Sequence, residues 1–345
     1  MDNFTIGEIT VESGTRKDKM LEVAPLPDGN TFGIPMIIMN GTKPGPVLCI
    51  NSGTHGDEPE GTLAITDLAN EIDPKKLTGT LVLIPVLNVP AFIGKASIDV
   101  SGIRENPIDW KNLARTFPGN PEGTMTERLA DTVVKKLLPK IDYAIDCHSG
   151  GTRGTSHWIS GYAGVEKEKL SKKSLEIAKS FPLKTLWRIP LYAKFATCCV
   201  EKDIPVCIVE TTGQGRADDS DIDVLIKGFR NVMINLGMIK GELTPVPVDR
   251  KCIDSETYLY AEYTGILRSK VKTGELIKEG QLLGVVQDFY GNVKQEVKAP
   301  LTGIATGVRT KPMVWAGEPV FLIANFIEEG SVGPASAART DITPP

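Results

Sequence analysis

Two rhythms alternate along the first 240 or so residues. Short apolar runs bounded by turn residues mark strands, and apolar positions three and four apart mark helices. Residues 36–39 (Met-Ile-Ile-Met) and 46–50 (Pro-Val-Leu-Cys-Ile) flank Asn40-Gly41 and read as paired strands. Residues 60–72 carry helical spacing, and 80–86 (TLVLIPV) form a β-rich run. Residues 126–138 make an amphipathic helix that Pro139 ends. Strand 143–147, helix 170–181, strand 205–209 and helix 222–236 follow, the last closed by Gly237 as a C-cap. Strands alternating with helices predict an α/β domain around a largely buried sheet.

Near residue 242 the helical rhythm stops. Residues 242–251 (ELTPVPVDRK) are Pro-rich and polar, as in a linker. Short strands and glycine turns fill 264–322 with no helix pattern, which predicts a small all-β domain. Its shape resembles the barrel-sandwich of biotinyl and lipoyl carrier modules. Those carriers place a modified lysine in a tight hairpin, and the comparable turn in this chain, Asp288-Phe-Tyr-Gly-Asn292, has none. No lipoyl or biotin attachment is expected. The divisions expected are an α/β domain over 1–242, a β domain over 250–326, and a Gly/Ala/Ser/Pro-rich tail over 327–345 that reads as disordered.

Composition narrows the partners. The chain has 345 residues, 41% of them hydrophobic, which suffices for a core of this size. A net charge of -4 without a dense basic block argues against nucleic acid as the main partner. No run of about 18 apolar residues appears, so no membrane span is expected, and the N-terminus lacks a signal-peptide core. The six cysteines stand mostly among apolar neighbours, without the spacing of a disulfide framework. They read as reduced, buried thiols in a cytoplasmic protein.

The chemistry concentrates at strand ends. His55-Gly-Asp-Glu58 follows a strand and precedes a helix. Imidazole and carboxylate three residues apart can converge on one metal ion, and this donor pair suits zinc with a position left open for hydrolysis. The chain has only three histidines. His148 ends the strand YAIDC before Ser149-Gly150-Gly151, so His55 and His148 both sit just beyond strands, where open α/β sheets place their sites. A lone histidine is more often a satisfied polar residue at a loop edge; the joint pattern with glycine-rich loops favours a metal. His157 lies outside it and reads as a non-ligand. Glu210 closes a third apolar strand, where a poorly solvated acid beside a cation suits general acid/base work. Arg104, Asn112 and Arg115 lie in a long polar loop; an arginine fork matches a carboxylate, although either arginine alone could be a surface ion-pairing residue.

Together, His55-Gly-Asp-Glu58, the block from Asn112 to Gly119, Asp146-Cys-His148-Ser-Gly-Gly and Val209-Glu210-Thr resemble the succinylglutamate desuccinylase/aspartoacylase family, within the zinc carboxypeptidase-like superfamily. The resemblance spans roughly 10–325. It implies a mixed central sheet flanked by helices, with the β domain near the active-site mouth. It implies one zinc ion per chain on His55, Glu58 and His148. Glu210 is then the residue that activates water and protonates the leaving amine, and Arg104 the one that polarises the scissile carbonyl. Arg115 binds a substrate carboxylate, with Asn112 beside it. The expected activity is cleavage of an N-acyl amino acid or related small amide, anionic in first choice, by a homo-oligomer; members of this length with the Arg104-x-x-Pro107-x-Asp109 segment resemble deacetylases of N-acetylated diamino acids. One departure stands out: the family block Asn-Leu-Asn-Arg reads Asn112-Leu-Ala114-Arg115 in this chain. Losing a hydrogen bond to a charged group costs about 1.5–3 kcal/mol. The rival expectations are a zinc carboxypeptidase acting on short peptides and an inactive small-molecule-binding homologue.

Overall fold

A computed structural model describes residues 1–98, 100–189 and 194–332. Its centre is a mixed sheet of thirteen strands. From one edge the order runs Gly154–Ser156, Gly303–Arg309, Pro319–Ile327, Lys251–Tyr260, Thr185–Arg188, Ile159–Tyr162, Val206–Thr211, Tyr143–Ser149, Lys43–Asn51, Thr78–Ile84, Thr31–Asn40 and Thr15–Pro25, with Leu276–Ile277 paired to Gly303–Arg309. Lys43–Asn51, Tyr143–Ser149 and Val206–Thr211 are parallel neighbours in the middle.

Side-chain alternation explains how this sheet is covered. Leu48, Ile50, Ile145, Cys147, Cys207 and Val209 point to one face, where helices Glu60–Glu71, Glu168–Ser180 and Asp219–Asn235 bury Leu68, Ile177, Phe181 and Phe229 against them. Cys49, Ala144, Val206 and Ile208 point to the other face, covered by helices Met125–Thr132 and Lys194–Glu201 and by the hairpin Phe4–Ile6/Ile9–Val11. Local signals set the helix ends. Thr124 and Glu127 form a capping box before Met125–Thr132. Gly237, at φ +71°, ends the last helix with Met238 N–H donating to the Met233 carbonyl.

All the anticipated helices and core strands of the first 240 residues are present, within a few residues at their ends. One pairing is corrected: the strands on either side of Asn40-Gly41 do not pair. Thr78–Ile84 lies between them, antiparallel to one and parallel to the other. The Gly41 and Thr42 N–H groups donate to the carbonyls of Gly79 and Leu77, so this turn is tied to distant chain rather than closed on itself. The 126–138 helix is α-helical only to Thr132 and then widens into a five-residue π-turn before Pro139.

Among the described residues, the strands of the C-terminal part pair antiparallel with one another. A four-stranded sheet (Val293–Lys298, Leu282–Gln287, Gly265–Ser269, Met313–Val314) encloses a third core of Leu267, Val286, Val314 and Phe321. Lys251–Tyr260 runs out of the linker directly into the central sheet, parallel to Thr185–Arg188, so one sheet is continuous across both parts of the chain. The buried pair Arg188–Asp254, bonded through Nε–Oδ1 at 3.1 Å and Nη2–Oδ2 at 2.8 Å, reinforces that junction. Of the tail, 333–345 lies outside the described residues. Glu328–Val332 is fastened: Lys179 pairs with Glu329, and the Ser331 and Val332 carbonyls accept from Tyr162 and Arg188.

Candidate metal centre

Asn51, Asp146, His148 and Glu210 share the sheet face of Cys49, Ala144 and Ile208, because each lies an even number of residues from one of them along its strand. Asn51 is in register with Asp146, and Glu210 with His148. Toward the C-terminal ends of these three parallel strands the face therefore turns from apolar to polar. His55 and Glu58 come from the loop after Lys43–Asn51, just ahead of helix Glu60–Glu71. That loop fits only with glycine at 56, where a Cβ would stand 2.1 Å from the Ala91 carbonyl carbon. Asp57 clamps it to the turn after His148. Its Oδ2 accepts from Thr152 N–H at 2.8 Å and from the Thr152 hydroxyl at 2.9 Å, while Gly151, at φ +54°, leaves space for the carboxylate.

The result brings His55, Glu58 and His148 together, with one ligand-type atom from each within 4.8 Å of the others. His55 Nδ1 lies 2.8 Å from Glu58 Oε1 and His148 Nδ1 2.9 Å from Glu58 Oε2. The outer nitrogens are engaged separately. His148 Nε2 is 3.1 Å from Asp146 Oδ2, and His55 Nε2 is 3.3 Å from Asn112 Oδ1. Oxygens that can only accept thus flank both nitrogens of each ring, so the outer nitrogen can keep its N–H while Nδ1 is the atom free to turn to a cation placed between the rings and Glu58. His55 Nδ1 is also buried without a hydrogen bond. Two imidazoles, one carboxylate and carboxylate or amide support behind the rings are the donor set of a divalent metal site.

The same convergence of charge governs protonation. Burial opposes charge on all three groups, yet Asp146 and Glu58 push the His148 pKa well above the usual imidazole value. His55 and His148 hold Glu58 well below the carboxylate range against that burial. Burial, with Arg104 adding to it, lowers His55. Burial raises Glu210 well above the usual value, with Glu58 and Glu256 adding and His148 opposing.

A cavity of about 400 Å³ is lined by Arg104, Arg115 and Glu210. Arg104 donates Nη1 to Glu58 Oε1 at 2.8 Å, and its buried Nε has no partner. Arg115 lies on the short helix Leu113–Thr116, and its side chain makes no hydrogen bond or ion pair with the described residues. Asn112 does not line this cavity; its side chain is turned to His55. His157 is apart too, its ring 2.9 Å from the Thr185 hydroxyl. The sequence assigned no role to Asp57, Arg153 or the strand Lys251–Tyr260, which brings Glu256, Tyr258 and Tyr260 into the cavity. The alternation Glu-Thr-Tyr-Leu-Tyr was the available signal for that strand.

Relatives of known family share this architecture. Residues 44–236 match the model of the succinylglutamate desuccinylase/aspartoacylase catalytic domain. N-alpha-acetyl-L-2,4-diaminobutyric acid deacetylase of Halomonas elongata is 28% identical over 312 residues, 87% of this chain and 89% of the relative. The product-bound ectoine utilization protein EutE (DoeB) of Ruegeria pomeroyi superposes with a TM-score of 0.82 at 26% identity, over 90% of this chain and 95% of that one. A succinylglutamate desuccinylase from Silicibacter sp. TM1040 gives 0.83 at 26% identity, over 95% and 100%.

Proposed function

The chain belongs to the succinylglutamate desuccinylase/aspartoacylase family, and from that premise we propose that it is a zinc-dependent deacylase that cleaves the amide bond of a small N-acyl amino acid. One observation carries the proposal: two imidazole Nδ1 atoms converge on the Glu58 carboxylate beside a cavity that also holds a half-buried acid and an arginine side chain without a partner.

His55, Glu58 and His148 would hold one zinc ion per chain. A zinc ion so bound supplies Lewis acidity and lowers the pKa of its water. Glu210 then takes the proton of the attacking water and delivers it to the leaving nitrogen; the cationic surroundings that a loaded site creates favour its ionised form. Arg104, with an unsatisfied Nε, faces the charge that develops on the carbonyl oxygen. Arg115, exposed in the cavity, binds the substrate carboxylate, and Arg153, which lines the same cavity, adds a second cation. Asn112 serves the reaction by orienting His55 rather than by touching substrate.

The Halomonas relative's name makes an N-acetylated diamino acid the leading substrate. A peptidase role is disfavoured because C-terminal strands supply much of the cavity wall and leave room for about 400 Å³. The test is a panel of N-acetyl, N-succinyl and peptide substrates offered to zinc-loaded protein. Release of amine from small N-acyl amino acids is the expected result. Turnover of peptides alone, or of nothing, contradicts the proposal.

A further inference from the structure

The cavity's charges pair unevenly. Arg104 is bonded to Glu58, and Arg309 to Glu318 at 3.0 Å. Glu210 has His148 and Arg104 as opposing charges. Glu256 has none: it forms no ion pair with the described residues, and the polar group beside it is the Thr306 hydroxyl. Its placement is built in. A register irregularity between Ile253 and Glu256 re-aims the strand. Alternation then sends Glu256 and Tyr258 to the cavity side and Leu259 into the C-terminal core, and Tyr260 joins the cavity wall past a second irregularity. Tyr258 and Tyr260 stack with centroids 6.3 Å apart, extending an aromatic wall from the carboxylate. Glu256 is close enough to raise both Glu210 and Tyr258.

A half-buried carboxylate without a cation is costly, and either stays protonated or waits for a charged partner. Burial does push Glu256 upward. A substrate ammonium would satisfy it, and tyrosine faces beside it would favour that cation further.

We propose that Glu256 is the recognition group for a second, free amino group on the substrate, so that the site takes acylated diamino acids in preference to acylated monoamino acids. This rests on the deacylase reading for the orientation of the substrate. Because Glu256 neighbours Glu210, the ammonium must lie a short alkyl chain from the scissile amide. The carboxylate of the same substrate goes to Arg115 and Arg153, leaving the two charges of one amino acid on opposite partners.

The test compares zinc-loaded native protein with Glu256→Gln. The substrates are N-α-acetyl-2,4-diaminobutyrate and N-acetyl-2-aminobutyrate, which differ by the ammonium. The native protein should favour the diamino compound at least ten-fold in kcat/KM, and Glu256→Gln should bring that ratio close to one. Calorimetric binding of the two free amino acids should show the same loss of preference. An unchanged ratio in Glu256→Gln, or no native preference in either measurement, overturns the proposal. Equal loss on both substrates with the ratio intact makes Glu256 a partner of Glu210 instead, and also overturns it. If neither acetyl compound is cleaved, the deacylase reading fails and the binding ratio alone decides Glu256. Should Glu256→Gln fold poorly, Glu256→Asp, which keeps the charge, must retain a preference that favours the diamino compound.

Discussion

Asp146→Asn isolates the charge behind the proposed metal centre. In the native protein, Asp146 is 3% exposed; its Oδ2 stands 3.1 Å from His148 Nε2 and its Oδ1 accepts from Asn51 Nδ2 at 2.6 Å. The substitution keeps the shape and one acceptor. The new NH₂ needs a partner, and Asn51 can supply one, because its own Oδ1 is buried and unbonded and can turn to accept. The fold therefore stays satisfied while the negative charge that makes His148 a stronger donor is gone. Removing such an outer-shell partner typically weakens metal binding about 10–100-fold. At about 1.36 kcal/mol per decade, that is about 1.4–2.7 kcal/mol. Competition against a fluorescent zinc chelator would read the dissociation constant, with the melting temperature of the metal-free protein as a control for folding. An affinity within two-fold of native, in protein that melts like native, would refute the reasoning, since His148 would then bind metal without its carboxylate or not at all.

Other perturbations separate the remaining roles. Glu210→Gln should keep its metal and lose about 10²–10⁴-fold in kcat; near-native turnover removes Glu210 from the chemistry. Arg115→Ala should raise KM for carboxylate-bearing substrates with little change in kcat, and Ala114→Asn should lower it; steady-state kinetics that leave KM unmoved in both defeat the carboxylate assignment. Asp254→Ala strands the buried Arg188 guanidinium and should cost about 3–5 kcal/mol in urea unfolding; a cost near zero means the pair adds nothing at the junction. Burial holds the His157 imidazole below its ordinary pKa. The stability this lends is complete above the unfolded value of about 6.5 and drains away as pH falls towards the folded value. His157→Gln should therefore flatten the acid side of the melting-temperature profile, and a profile parallel to native contradicts the sign.

How much of the fold and the site was legible in the chain depends on sequence distance. His55 and Glu58 are three residues apart, and with three histidines in all the choice of a second imidazole was small. Strand-end positions for His148 and Glu210 follow from apolar runs that simply stop. The Asn40-Gly41 turn misled because it marks a reversal without naming the partner strand, and the partner, Thr78–Ile84, arrives only after a crossover helix. Asp57 reads as one more loop acid until the turn at Thr152 is folded against it. Asn112 reads as a substrate group from its block, but the Leu113–Thr116 helix turns it toward His55. Glu256 lies 46 residues beyond Glu210 in the chain, past a polar linker, and only the continuity of one sheet brings the two acids to the same cavity.

Metal content followed alongside turnover bears on the whole account at once. Protein dialysed against a chelator should lose about one equivalent of zinc and its amide hydrolysis in step, and regain both when zinc is returned. Hydrolysis that persists in metal-stripped protein would contradict a catalytic metal held by His55, Glu58 and His148.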